Sequence, residues 1–321
     1  MKRHITLSRP LVSIVTPAYN SSAFIGETIS AALAQTCEDF EFILVDDEST
    51  DRTIDAIHRA TAGDPRVIVM VSPHGGPASA RNIALDAARG RFIALLDSDD
   101  VWMKDYLEQQ IAMLGHFADR AIVTANALDR GGRRDGQPLW QPSTGYRMLT
   151  PRDLILHENS VCIMSVFRRE VVDRIGGFDR RFTGNEDYEF WLRAVNAGFG
   201  IVQNRRPLGF YRRRDDSVSS DDVRMLKGIM AVLQSAERME GPIGEERVAI
   251  HHQLRRFRYE LVKAEMRQSL RKHDALAAAS SLKTMSELRR SWSLAVAAKV
   301  GMTWPDLLQR VYELRSSLKA S

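Results

Sequence analysis

Three carboxylates close the apolar run Arg91-Phe92-Ile93-Ala94-Leu95-Leu96-Asp97-Ser98-Asp99-Asp100. The run has no polar alternation, which predicts a strand buried on both faces with the acids at its carboxyl end. Along an extended backbone, residues i and i+2 point to one side, so Asp97 and Asp99 can converge on a single point. Two hard oxygen donors on a strand end suit a divalent cation such as Mg²⁺ or Mn²⁺, with phosphate oxygens and water as the other ligands. The competing reading is an acidic turn, with Asp100 capping a helix that begins near Trp102. Two more acidic groups stand at comparable places. Asp46-Asp47-Glu48 ends the run Phe40 to Val45, and Glu186-Asp187 opens a segment whose Phe190, Trp191, Ala194 and Val195 recur at helical spacing.

The elements that must position these acids follow from periodicity. Leu11 to Thr16 is a β-rich run stopped by Pro17, and Tyr19-Asn20-Ser21-Ser22 supplies turn chemistry. Helical spacing starts at Phe24 and continues through Ile25, Ile29, Ala32 and Leu33. After the strand at 40–45, Ser49-Thr50-Asp51 is placed to cap a helix carrying Ile54, Ile57 and His58. A strand over 66–71, the loop Ser72-Pro73-His74-Gly75-Gly76-Pro77, a helix over 78–88 and Gly90 lead to the central run. Strand and helix repeated four times predict an α/β fold, a mainly parallel, Rossmann-like sheet covered by helices. Ligands of such sheets sit beyond the carboxyl ends of the strands, where Tyr19-Asn20, Asp46-Asp47, Gly75-Gly76 and Asp97-Ser98-Asp99 all fall.

Beyond the central run, the pattern predicts a helix near 104–114 and strands near 121–127, 161–167 and 208–211, with residues 137–149 irregular and exposed. From about Asp221 three apolar stripes take over: Met225 to Ala236, Ile250 to Ala264, and Leu307, Val311, Leu314 and Leu318. They predict a C-terminal helical appendage over 221–321, packed on a domain of residues 1–220.

A formal charge of +4 on 321 residues is too small to indicate a nucleic-acid partner. The basic residues cluster locally, at Arg212-Arg213-Arg214 and at Arg255, Arg256 and Arg258, as solvated faces or as contacts for diphosphate or an anionic membrane surface. Cys37 and Cys162 make neither a disulfide framework nor a metal-ligand spacing, which fits a reducing cytoplasm. Met1 to Pro10 lacks the apolar core of a secretory signal, and no apolar run approaches the roughly 20 residues that span a bilayer.

Five ordered segments carry a resemblance: Val15-Thr16-Pro17-Ala18-Tyr19-Asn20, Val45-Asp46-Asp47-Glu48-Ser49-Thr50-Asp51, Gly76-Pro77-Ala78-Ser79-Ala80-Arg81-Asn82, Leu96-Asp97-Ser98-Asp99-Asp100 and Glu186-Asp187-Tyr188-Glu189-Phe190-Trp191-Leu192-Arg193. Over about residues 11–220 the chain resembles the family-2 glycosyltransferases, which have the GT-A fold. The resemblance implies transfer of a single sugar from a nucleoside diphosphate sugar, a UDP-sugar first, to an acceptor hydroxyl with inversion of the anomeric centre. It implies Mn²⁺ or Mg²⁺ at Asp99 with Asp97 nearby, Ser98 lying beside the donor, to neutralise the departing diphosphate. Asp47 is implied to accept the imide N–H of uracil, with Tyr19, Asn20 and the Pro17-Ala18 backbone around the base and Arg81 near the nucleotide. For Asp47 the alternative is charge complementarity at a helix N-terminus. Asp187 matches the family acid that takes the acceptor proton, against the alternative of a helix-capping acid.

Many relatives carry His where this chain has Arg214, and in some that His helps hold the metal. Arginine cannot ligate a cation, but it can grip a diphosphate bidentately. The Gln-x-x-Arg-Trp motif of processive relatives is absent, which favours single-sugar addition. The implied acceptor is a glycan or lipid-linked glycan in surface polysaccharide or glycoconjugate synthesis. The implied location is cytoplasmic, peripheral at the inner face of the membrane, where the Arg-rich tail helices could meet anionic lipid. Two other classes share parts of the pattern. A signalling receiver domain would use Asp97 as phospho-acceptor but needs a Lys that 120–150 lack. A sugar-nucleotide nucleotidyltransferase would need a Gly-rich basic loop where Pro17 to Ser22 stands.

Overall fold

The computed structural model describes residues 9–214 and 221–317, the side chains of 315–317 excepted. The polar segment Asp215 to Ser219 and Leu318 lie outside the described residues. The first half alternates β1 (Val12–Ala18), α1 (Ile25–Leu33), β2 (Phe40–Asp46), α2 (Thr53–Thr61), β3 (Val67–Val71), α3 (Pro77–Ala87) and β4 (Phe92–Leu95). β5 (Val101–Trp102), α4 (Tyr106–His116), β6 (Arg120–Arg130), β7 (Tyr146–Leu149), α5 (Pro151–Leu156), β8 (Ser165–Arg168), α6 (Glu170–Ile175), α7 (Glu186–Asn196) and β9 (Gly200–Arg212) follow. The tail is helical: α8 (Asp222–Ala236), α9 (Arg247–Arg271), α10 (Ala275–Arg289), α11 (Trp292–Thr303) and α12 (Pro305–Ser317).

One mixed sheet runs in the order β3-β2-β1-β4-β8-β6-β9-β5, with β7 paired to β9. The four N-terminal strands are parallel, with Val12 opposite Phe40 on one side and Phe92 on the other. Every residue of β1, β2 and β4 is buried, as continuous apolar runs require when helices cover both faces. β8 lies antiparallel between β4 and β6, and β9 runs parallel to β6 with bulges near Ala125 and Asn126. The sheet is therefore mixed, and the parallel expectation holds for its first half.

Three local expectations are corrected. Trp102 does not open a helix: Val101–Trp102 pairs with Gly209–Phe210 of β9, and α4 starts at Tyr106. Residues 146–149 of the stretch expected to be irregular pair with β9 as β7, and the strand expected from Val161 begins at Ser165. In the tail, α8 and α9 bury Ile229, Val232, Leu233, Ile250 and Phe257 in the main core. α12 buries its other side. Leu308 packs with Leu282, Met285 and Ala298, which leaves Leu307, Val311 and Leu314 from 44% to 64% exposed.

Candidate active site

The acids of β4 stand where three parallel strands end, and α1 fastens them there. Thr28 Oγ1 on α1 faces the carbonyls of Ser98 (3.0 Å) and Asp100 (2.9 Å), which fixes the turn between β4 and β5. Asp100 caps no helix. It is buried, and its Oδ1 accepts the Arg212 N–H at 2.9 Å, tying this turn to the end of β9. Arg212 also donates through Nε to the Asp99 carbonyl at 2.8 Å. Burial, with the charges of Asp99 and Asp97, raises the Asp100 carboxyl well above the ordinary carboxylate range.

Arg81, buried on α3, links two acidic groups that sequence keeps far apart. Its Nη2 donates to Asp97 at 2.6 Å and its Nη1 to Glu186 at 2.7 Å. Although burial works against its charge, Asp97 and then Glu186 hold this guanidinium above its ordinary basicity. Asn82, the next residue, exchanges two hydrogen bonds with the Phe178 backbone, Nδ2 to O at 2.8 Å and N to Oδ1 at 2.7 Å. Those bonds clamp α3 to the loop that leads into α7, and so fix where Glu186 and Asp187 stand relative to β4. Glu186 has no motif of its own beyond its neighbour. Its role in this network is fixed by an arginine 105 residues away.

Asp187 is half-buried in the first turn of α7, with Oδ1 accepting its neighbour Tyr188 N–H at 2.7 Å. Burial and then the Glu186 charge push its carboxyl up to about 6, against the pull of Arg81, with Asp97 adding to the rise. The group therefore shares an electrostatic environment with the β4 acids and still ionises near neutral pH.

Asp99 is raised by burial and by the Asp97 charge, and Arg214 opposes that rise. Arg214 Nη1 stands 3.4 Å from Asp99 Oδ2 and its guanidinium lies over the Phe24 ring. Two crowded, partly exposed carboxylates offer hard oxygen donors that fit a hard cation beside their arginine partners, and Asp97 and Asp99 would hold it. Among the described residues no set of three or more His, Cys, Asp or Glu is gathered as a ligand cluster, so further ligands would have to come from the donor or water.

Around the ends of β1 and β2 the other expected residues gather. Pro17 and Ala18 are buried in β1, and Tyr19 is 43% exposed with its ring centroid 4.5 Å from that of His74. Asp47 is buried at the N-terminus of α3, where its carboxylate accepts the Gly75 and Gly76 N–H groups, both at 2.9 Å. The helix-terminus interaction is thus present, at α3 and not at the helix after β2. His74 Nδ1 lies 3.0 Å from the same carboxylate. No motif marks His74; only its place in a glycine loop beyond a strand end hinted at a site. Asn20, with φ at 47°, turns its amide oxygen to the Thr50 N–H at 2.8 Å and so stitches the first two loops together.

Residues 13–176 match the family model described as glycosyl transferase family 2. The chain belongs to that family. The match covers more than half of the 321 residues and takes in four of the five ordered motifs. A Bacillus subtilis (strain 168) protein named as a candidate glycosyltransferase of teichuronic acid biosynthesis, TuaG, is 33% identical over 232 residues, 72% of this chain and 90% of its own. The Escherichia coli UDP-Glc:alpha-D-GlcNAc-diphosphoundecaprenol beta-1,3-glucosyltransferase WfgD is 31% identical over 232 residues, 68% of this chain and 83% of its own. In three dimensions the chain is similar to the mannosyltransferase PcManGT of Pyrobaculum calidifontis, solved with GDP-Man and Mn²⁺. That likeness has a TM-score of 0.61 and 20% identity, over 93% of this chain and 88% of the other. It shows the fold, which is GT-A. As a family-2 glycosyltransferase the chain is neither a receiver domain nor a nucleotidyltransferase. Among the described residues no helix is long and apolar enough to cross a membrane.

Proposed function

We propose that this glycosyltransferase moves one sugar from a nucleoside diphosphate sugar, a UDP-sugar first, to an acceptor hydroxyl with inversion. The acceptor class is a glycan or lipid-linked glycan of surface polysaccharide or glycoconjugate synthesis, a reading supported by TuaG, named for teichuronic acid biosynthesis, and WfgD, named for a GlcNAc-diphosphoundecaprenol acceptor. One observation carries the reading. Arg81 bridges Asp97 to Glu186, which sets the raised carboxylate of Asp187 within electrostatic reach of the β4 acids.

In this mechanism the ionised Asp187 takes the proton of the acceptor hydroxyl as its oxygen attacks the anomeric carbon. The bond from that carbon to the diphosphate oxygen breaks on the opposite face, and the diphosphate leaves with the electron pair. Asp97 and Asp99 would hold Mn²⁺ or Mg²⁺, which when bound supplies positive charge to the departing diphosphate. Arg214 reaches the same diphosphate with a planar, permanently charged fork. Arg81 holds Asp97 in place. Tyr19, His74 and the Pro17-Ala18 backbone border the base, with Asp47 as its imide acceptor, Asn20 bracing the loop and Ser98 beside the donor sugar.

We infer a cytoplasmic site of action at the inner face of the membrane, with exposed Arg255, Arg256 and Arg258 of α9 against anionic lipid. Failure to float with anionic vesicles at low salt counts against that contact. For the donor, a thermal-shift panel of nucleoside diphosphates with and without Mn²⁺ is the test. UDP is expected to raise the melting temperature selectively in the presence of metal, and Asp99→Ala to abolish that gain. An equal gain for all nucleotides, or a gain that survives Asp99→Ala, overturns this donor and metal assignment.

A further inference from the structure

At the amino end of the parallel strands, about 20 Å from the acids by the length of β1, three arginines line an open pocket. Its volume is about 330 Å³ and its walls are Arg9, Ala88, Arg89 and Arg169. Arg9 precedes β1, Arg89 precedes β4 and Arg169 follows β8, so the sheet register itself brings them together.

The three guanidinium groups are not equally compensated. Arg89 pairs at 2.8 Å with the buried Glu41, which Ser13 Oγ also holds at 2.7 Å. Arg9 and Arg169 donate to neutral carbonyls instead, Arg9 Nε to Arg89 O at 2.5 Å and Arg169 Nε to Gly90 O at 2.7 Å. Among the described residues neither has a carboxylate partner, and Arg169 Nη2 is buried with no hydrogen-bond partner. Burial and then the neighbouring Arg9 charge lower the basicity of Arg169, against the pull of Asp173 and Glu41. Two like charges are thus held together by backbone contacts, with donors left over and room between them. A pocket of this size is at the small end for a ligand site. Asp173 and Glu41 offset part of the charge, Glu41 being already paired with Arg89, so three guanidinium groups face two carboxylates and the remaining positive charge defines the ligand.

We propose that this pocket binds a phosphate group, carried by a soluble phosphate compound or by a phospholipid headgroup, separately from the donor site. Guanidinium forks suit phosphate oxygens, and the backbone bonds to Arg89 and Gly90 hold the groups ready before the anion arrives.

The test uses the full chain at low salt, saturated with UDP, and two probes. Inorganic pyrophosphate is titrated by calorimetry, and vesicles of phosphatidylcholine with phosphatidylglycerol are used for flotation. In the flotation arm parent and variants both carry Arg255→Gln, Arg256→Gln and Arg258→Gln, so that α9 does not supply the contact. Arg9→Gln and Arg169→Gln are each expected to weaken binding of at least one probe by about tenfold or more, with the response to UDP unchanged. Arg9 is exposed, so Arg9→Gln carries the test should Arg169→Gln fold poorly. Loss confined to pyrophosphate assigns a soluble phosphate. Parallel loss of vesicle binding, with pyrophosphate competing, assigns a headgroup. No binding of either probe to the parent, or equal binding by the variants, overturns the proposal.

Discussion

Replacing Asp187 by Asn separates a proton acceptor from a structural cap, because the two roles predict opposite changes in stability. The fold lifts this carboxyl from its ordinary 3.8 to about 6, through burial and the Glu186 charge. Ionised Asp187 is therefore disfavoured in the folded chain by on the order of 2–3 kcal/mol relative to the unfolded one. Since the folded pKa is the higher one, the penalty is complete above about pH 6, shrinks as pH falls, and is gone below the unfolded value of about 4. A neutral isostere never incurs it. Asp187→Asn is expected to melt several degrees above the parent at about pH 8, and level with it at about pH 4. Over the same comparison, sugar transfer should fall by about 10²- to 10⁴-fold while nucleotide-induced stabilisation persists. The assay is a pair of melting curves at the two pH values beside a transfer assay with radiolabelled donor. A lower melting temperature at the higher pH would mean that Asp187 holds the helix start together. Undiminished transfer would remove it from the chemistry.

Further expectations follow from neighbouring contacts. Arg81→Met strands the partners Asp97 and Glu186 without their shared counter-ion and is expected to cost about 3–5 kcal/mol in denaturant melts. It also removes the pull that holds Asp187 down, so the acid limb of the pH–rate profile should move to higher pH; an unmoved limb would contradict the coupling. His74→Ala removes the ring beside Tyr19 and should raise the donor KM severalfold with kcat unchanged, about 1 kcal/mol of stacking. Equal donor KM in the variant and the parent would exclude His74 from the base site. Gly90→Ala would bring a Cβ to 2.4 Å from the backbone nitrogen of Ser13, so β1 and β4 would have to separate. A loss of about 1–3 kcal/mol is expected by denaturation, and a neutral result would mean the strands shift without cost.

The first half of the sheet was legible because β1, β2 and β4 are buried along their whole length, and burial on both faces writes itself as an unbroken apolar run. The second half was not. β5 is two residues long and exists only because β9 offers it an edge, so Trp102 carries no local signal of strand. Nothing in Ser165 to Arg168 says that β8 runs against its neighbours. The acids of β4 were visible from their i, i+2 spacing, whereas the Arg81 link to Glu186 joins two separate motifs and appears only in three dimensions. In α12 the stripe Leu307, Val311 and Leu314 has correct helical spacing and faces outward. Periodicity finds an apolar face without saying which face the neighbours cover.

β8, hydrogen-bonded to β4 on one side and to β6 on the other, has a consequence for protein engineering. It is the joint at which the nucleotide half of the sheet meets the half built by β6 and β9. A chimera that imports residues after Asp100 from a relative must import a strand that still zips onto Phe92, Ile93 and Ala94 in reverse. Grafts that respect this register, and that keep the partners of Arg81, Asn82, Asp99 and Asp100 at Glu186, Phe178 and Arg212, inherit an intact donor half. Grafts that slip it by one residue turn an entire buried face toward the helices on the wrong side.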